Sequence, residues 1–350
     1  MNFLKTIKAV NLEAVNSLWI FIEKFSKILV GFVLGVYLAR ILGTEKFGIY
    51  TSAISFATIF VGISAIGLNG LLVKEFVKRA NIYLALKTSL SLRVLGAIFS
   101  YLASIGMAFI FIGNDSVLSG IILVSILIFL TPCEAIGFYF ESRLESKYNA
   151  AAKSSSFFIG ALLKLILLFN GASVNELFIA HVIEGFIWGI VLIYLFHKKT
   201  DLSFSGLWKT SLEKKYSKSL LSQSWPLMVS SIAVILYLKL DQIMILEYLG
   251  AESSGLYGVS VRVCEAIFLI PAIIIPSLFP KMIKLFETER TAYLLFIKKI
   301  ALGFTVLSVL ITLFLLLTSD TIIPFIFGNE YQKSSEVLKI YSISILFVFL

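Results

Sequence analysis

"LGTEKFGIY", Leu42 to Tyr50, returns 207 positions later as "LGAESSGLY", Leu249 to Tyr257, with Leu, Gly, Glu, Gly and Tyr in register and no gap. An apolar run of helical length precedes and follows each copy, so each reads as a tight turn between two helices. Gly43 and Gly250 are placed to end a helix in the left-handed conformation, where other residues meet steric cost. Gly48 and Gly255 permit close packing as the next helix begins, and Tyr50 and Tyr257 suit an interfacial aromatic belt. Each position has a structural explanation singly. Their recurrence at a constant offset argues for a duplicated unit.

Hydrophobic residues make up 59% of the 350 positions, charged residues 15%, and the mean hydropathy is +0.96. Soluble domains hold roughly half and roughly a quarter. The apolar segments run about 20 residues, which at about 1.5 Å rise each match the roughly 30 Å hydrocarbon core and exceed the length of bilayer-crossing strands. The predicted fold class is an all-α polytopic membrane protein. About ten helices are expected, near 18–40, 47–68, 88–112, 117–140, 153–170, 176–196, 225–248, 256–280, 300–318 and from 336 onward.

The two copies follow the first and the seventh spans, so the repeat contains six helices. An even number of crossings preserves orientation, which predicts two parallel pseudo-repeats of six transmembrane helices, the second incomplete. The expected division is a first six-helix lobe over 1–200, a basic cytoplasmic linker over 201–224 carrying Leu202, Phe204, Leu207, Trp208 and Leu212, and a second lobe over 225–350 truncated within its fourth helix. The chain stops inside the apolar run "SISILFVFL", Ser342 to Leu350, so the expectation is a fragment or truncated product of a protein of roughly 414 residues. No A-x-A pattern follows the first span, which reads as a retained helix.

Lys and Arg gather on one side: Lys5 and Lys8; Lys74, Lys78, Arg79 and Lys87; Arg143, Lys147 and Lys153; then the run from Lys198 to Lys218 and that from Lys281 to Lys299. Arg40, Lys46 and Lys333 lie on the other. The positive-inside rule makes the N-terminus cytoplasmic. Topology thereby explains the net charge of +9, and no nucleic-acid partner is expected. Cys133 and Cys264 fall inside apolar segments without metal or disulfide spacing. There is no Gly-Lys pair for a Walker A loop, so transport would draw on a gradient or a partner. An enzyme is not expected. The longest outer loop, 319–335, carries only Asp320 and Glu330 as carboxylates, and His181 and His197 have no nearby nucleophile.

Charges within the spans are the informative residues, since one at mid-membrane costs about 2.5–3.5 kcal/mol on insertion scales. They are Glu23, Lys24 and Lys27; Arg93; Glu134; Lys164; His181 and Glu184; Lys239 and Asp241; and Arg262 and Glu265. Their number predicts a polar lumen. Glu23 and Lys27 share a helix face near the cytoplasmic end and Arg93 lies near an end, where snorkelling or a local pair accounts for them. Arg262 and Glu265, three apart, can neutralise each other. Lys239 and Asp241 point about 200° apart and cannot do so, and Lys164 has no local carboxylate. A basic cavity suits an anionic passenger such as a phosphate. Pro226, Pro271, Pro276 and Pro280 crowd the seventh and eighth spans as gates or plain kinks, and Gly31 and Gly35 mark helix packing.

The runs "YLARILGTEKFGIYTSAISF" (37–56) and "GLNGLLVKEFVKR" (67–79), and "SWPLMVSSIAVILYLKLDQIMILEYLGAESSGLYGVSVRVCEAIFLIPAIIIPSLFPKM" (224–282), resemble the polysaccharide-biosynthesis (Wzx-type) flippases. These are the O-antigen and capsule repeat-unit transporters of the multidrug/oligosaccharidyl-lipid/polysaccharide exporter superfamily. The resemblance implies two six-helix lobes around a cationic cavity. It also implies rocker-switch movement of an undecaprenyl-pyrophosphate-linked oligosaccharide across a bacterial inner membrane. Implied partners are that lipid-linked substrate, membrane lipids, and a polysaccharide polymerase and chain-length regulator. No cofactor is expected beyond H⁺ or Na⁺ coupling. On this resemblance Lys239, Arg262 and Lys164 would bind the pyrophosphate or acidic sugars, with Lys27 and Arg93 assisting. Asp241 and Glu265 would be counter-charges or a coupling-ion site. The alternatives are a multidrug exporter of the same superfamily, with an acidic cavity; a membrane glycosyltransferase or polymerase, with catalytic residues on outer loops; and a membrane scaffold, with every charge paired.

Overall fold

The computed structural model describes residues 2–78 and 81–349. Arg79 lies outside the described residues, as do the side chains of Lys5, Lys8, Phe204, Trp208, Pro276 and Pro280. No strand occurs among the described residues. The helices are α1 (Asn2–Ser64), α2 (Asn69–Lys78), α3 (Ile82–Phe111), α4 (Asp115–Ser125), α5 (Glu134–Ser142), α6 (Ser146–Phe169), α7 (Val174–Lys199), α8 (Phe204–Lys209), α9 (Lys214–Thr288), α10 (Arg290–Phe327), α11 (Ser334–Ser342) and α12 (Ser344–Val348).

Seven described helical stretches are long and apolar enough to cross a membrane. Two of them, Val15–Lys78 and Lys214–Ile275, are far longer than one crossing needs. Each contains one copy of the repeated motif, and each is broken there: Gly43 has φ 75°, ψ 175° and Gly250 has φ 85°, ψ 174°. The sequence predicts the left-handed helical region for these glycines. The structure instead places both in the extended positive-φ region that is essentially closed to every residue but glycine. Split at these breaks, α1 and α9 supply the four spans expected around the motif. The polytopic all-α reading stands.

The chain forms two contact units. The first gathers Met1–Gly31 and Ile49–Tyr248, the second Phe32–Gly48 and Leu249–Leu350. In the first, Leu68, Leu72, Phe76, Leu86, Phe140 and Phe196 form a buried core, with Tyr139 edge-on to Phe196 at 5.7 Å between centroids. The amphipathic α2 lies on this core, and the Tyr216 hydroxyl donates to Glu75 at 3.0 Å. Between α4 and α5 the chain tightens into a 3₁₀ stretch, Ile126–Cys133, that contains Pro132. Proline has no N–H to give to the helical ladder. The Thr131 hydroxyl donates to the Ile128 carbonyl at 2.8 Å.

In the second unit the two motif copies pack on each other. A Cβ on Gly48 would overlap the Ala251 carbonyl, and a Cβ on Gly255 would overlap the Thr44 carbonyl. Ala251 is the repeat equivalent of Thr44, so the contact is reciprocal. Tyr331 donates to the Ala39 carbonyl at 2.9 Å. Arg40 donates to the carbonyls of Ile326, at 2.6 Å, and Phe325. These belong to the last turn of α10, whose carbonyls have no helical partner.

Candidate functional site

A cavity of about 310 Å³ lies within the first unit, between α1, the α4–α5 stretch, α6 and α7. That is the lower end of the roughly 300–1,000 Å³ usual for ligand sites. Its polar wall comprises Lys27 and Thr58 of α1, Thr131, Glu134 of α5, Lys153 and Ser156 of α6, and His181 and Glu184 of α7, with Trp188 and Phe157 as aromatic wall.

The α6–α7 hairpin builds one charged cluster. Gly171 (φ 74°) turns the chain after α6, and Ser173 and Glu176 close a capping box that starts α7. The two helices then run antiparallel. Lys164, 3% exposed, donates to Glu184 Oε2 at 2.6 Å, and its Nζ lies 3.1 Å from His181 Nδ1. An ammonium only donates, so Nδ1 is the acceptor and the neutral ring carries its proton on Nε2. Tyr50 also faces the ammonium. Space for this arrangement comes from Gly160, one turn before Lys164: a Cβ there would fall 2.6 Å from Glu184 Cγ.

A second pair backs the other wall. Arg93 of α3 has no solvent exposure, and its Nη1 donates to Glu134 Oε2 at 2.9 Å and to the Thr131 carbonyl at 3.0 Å. Its Nη2 donates to Asn69 Oδ1. Of the two readings offered for Arg93, snorkelling or a pair, the structure shows a pair, made across helices rather than along its own. Three acceptors from three segments hold the guanidinium inside the unit, which meets the requirement that a buried charge be paired and hydrogen-bonded.

The structure thus gathers Lys27 in the cavity wall, Lys164 behind Glu184, and Arg93 behind Glu134. Lys27 is turned over the Phe157 ring at 5.9 Å. Lys239 and Asp241 are half-buried on α9 in the same unit, Asp241 accepting from the Gln242 amide at 2.7 Å. Arg262 and Glu265 lie in the second unit. There the Arg262 guanidinium sits 5.4 Å from the Phe47 ring centroid, in space left by the missing side chain of Gly35. Gly160, Thr131 and Asn69 escaped the sequence reading. Only Gly160 carried a signal, a small residue four before a membrane-embedded lysine. Among the described residues, no group of three or more His, Cys, Asp or Glu is arranged to hold a metal ion.

Residues 14–286 match the family model of polysaccharide biosynthesis proteins. No curated protein matches the chain at a significant level. Among solved structures, the chain is similar to the inward-facing conformation of a multidrug resistance MATE family transporter of the MOP superfamily. The TM-score is 0.62 at 13% identity, over 92% of this chain and 78% of that one. That likeness shows the fold. The family match spans most of the chain, and with the all-α membrane architecture it places this protein in the polysaccharide biosynthesis protein family.

Proposed function

We propose that the protein is a flippase that moves an undecaprenyl-pyrophosphate-linked oligosaccharide, of O-antigen or capsule type, across a bacterial inner membrane by alternating access. Its N-terminus is cytoplasmic. The observation that carries the substrate class is the charge of the cavity. Glu134 and Glu184 are bonded to Arg93 and Lys164, which leaves Lys27 and Lys153 as the further charged groups of the wall. An anionic headgroup fits that balance. A multidrug exporter would present carboxylates to a cationic drug, and here both are engaged.

In this reading Lys239 and Arg262 also bind the anionic substrate, and Asp241 and Glu265 act as counter-charges or as an H⁺ or Na⁺ site. The chain works without catalysis beside a polysaccharide polymerase and chain-length regulator. A first six-helix lobe over 1–200 and a second, parallel lobe over 225–350, joined by the linker 201–224, form the transporter. The shared backbone break at Gly43 and Gly250 supports that division. The test is complementation of a flippase-deletion strain. Lys239→Ala with Arg262→Ala is expected to lower cell-surface glycan at normal protein level, and unchanged glycan would refute the assignment of these two residues.

A further inference from the structure

Glu184 and His181 form part of the cavity wall, whereas Lys164 lies behind them, buried against both. The carboxylate therefore stands between the cavity and the ammonium. Its side chain is 14% exposed, that of His181 25% and that of Lys164 4%. His181 and Glu184 are three apart on α7 and share a face, with 3.9 Å between Nδ1 and Oε2. Water in the cavity reaches the carboxylate, and the ammonium is reached only past it.

We propose that Lys164, Glu184 and His181 form a proton-gated anion site, in which a proton taken up by Glu184 releases the Lys164 ammonium to a phosphate-bearing ligand entering the cavity. The proposal rests on the lipid-pyrophosphate reading above and adds to it which cation is masked and what unmasks it.

The groups facing Glu184 set the direction of the linkage. Lys164 and Lys153 come from α6, Lys27 and Tyr50 from α1, Glu134 from α5 and His181 from its own helix. Glu134 is occupied by Arg93. A pyrophosphate drawn in by Lys27 and Lys153 brings negative charge beside the Glu184 carboxylate. Two anions that share one ammonium at contact distance repel, and one of them takes a proton. The pyrophosphate of a lipid-linked sugar is substituted at both ends, so its oxygens are more acidic than a carboxylate and the proton goes to Glu184. It comes from cavity water, adds to a carboxylate oxygen, and breaks the ion pair to Lys164 without leaving an unpaired charge. His181 Nδ1 continues to accept from Lys164, which keeps the ammonium oriented while its other N–H groups turn to phosphate oxygens. Anion and proton therefore bind together. Affinity for the anion is expected to rise as pH falls, by up to tenfold per pH unit where one proton is taken up with the anion.

The test uses the full chain in phosphatidylcholine nanodiscs, with inorganic pyrophosphate as the probe and calorimetry in two buffers of different ionisation enthalpy to count protons. The wild type is compared with Glu184→Gln so that the ionisation of pyrophosphate itself cancels. The expected result is about one extra proton taken up by the wild type per pyrophosphate bound, and an affinity in Glu184→Gln that lacks this pH dependence. The double variant Lys164→Met/Glu184→Gln leaves no stranded charge. It is expected to bind at least tenfold more weakly than Glu184→Gln with no extra proton. Wild-type binding without extra uptake overturns the gate and leaves the flippase reading standing. Extra uptake that persists in the double variant overturns the site. If neither inorganic pyrophosphate nor undecaprenyl pyrophosphate binds at any pH, both readings fall. If phosphatidylglycerol in the nanodisc alone elicits the proton uptake, the gated anion site holds and the lipid-pyrophosphate substrate falls.

Discussion

Alanine at Gly160 tests whether α6 and α7 are held at their separation so that Glu184 reaches Lys164. Its Cβ would lie 2.6 Å from Glu184 Cγ and Oε2 and 2.7 Å from Glu184 Cβ. Ordinary carbon contacts lie at about 3.5–4.0 Å, so the two side chains must part by about 1 Å. Because Cβ itself is too close, rotating Glu184 does not suffice, and the helices must separate. A displacement of that size takes the 2.6 Å Lys164–Glu184 bond beyond the roughly 3.2 Å limit of a good hydrogen bond. Overpacking costs about 1–3 kcal/mol, and loss of a charge-assisted bond about 1.5–3 kcal/mol in water-soluble proteins. Hydrogen bonds between membrane helices average nearer 0.6 kcal/mol, and alanine returns about 1 kcal/mol of helix propensity. The net expectation is a loss of about 2 kcal/mol.

Unfolding of the purified protein in mixed micelles by a denaturing detergent measures it. A double-mutant cycle with Glu184→Gly, which removes the whole obstructing side chain, should show a coupling of about 2 kcal/mol between the two positions. If Gly160→Ala stabilises the protein, as at an unobstructed helix position, the steric argument fails. If it destabilises equally in both backgrounds, the cost arises elsewhere than at Glu184.

Glu134→Leu strands the buried Arg93 guanidinium. It is expected to lose about 3 kcal/mol, with Arg93→Met/Glu134→Leu recovering much of the loss in the same unfolding assay. Gly48→Ala meets the Ala251 backbone and should cost about 1–3 kcal/mol, whereas Gly70→Ala, with nothing within 4 Å of its added Cβ, should gain up to about 1 kcal/mol. Burial pushes the Tyr331 hydroxyl up from its ordinary value. Its hydrogen bond to Ala39 thus contributes fully below about pH 10, the ordinary tyrosine value, and is lost as pH rises toward the folded-state value. Tyr331→Phe should remove about 1 kcal/mol at pH 7 and flatten the alkaline loss of stability measured by unfolding at stepped pH.

The parts of the fold that were legible in the sequence depend on local chemistry. Twenty-residue apolar runs specify spans because the bilayer sets their length. A glycine between two such runs specifies a break because only glycine adopts the backbone there. Even so, Gly43 and Gly250 were read as left-handed, since sequence distinguishes a tolerant position from a strict one only by the residue present, and glycine satisfies both. The charged site was half legible for the same reason. That Lys164, Arg93, Glu134 and Glu184 are costly in a membrane follows from their chemistry alone. Which of them meet does not, because Lys164 finds Glu184 20 residues away and Arg93 finds Glu134 41 residues away.

Those pairings depend on the register of one helix against another, which small residues set. Gly160 lets α7 approach until a carboxylate covers an ammonium. Thr131, beside Pro132 in the 3₁₀ stretch, gives its carbonyl to Arg93. The residues that decide the site's electrostatics are thus two without charge. Lys164, which has no carboxylate near it in the sequence, lies behind an acid in the fold. Under the proposed gate, a phosphate-bearing ligand that draws on Lys164 must first displace Glu184, and protonation of that carboxylate is the step that would release it.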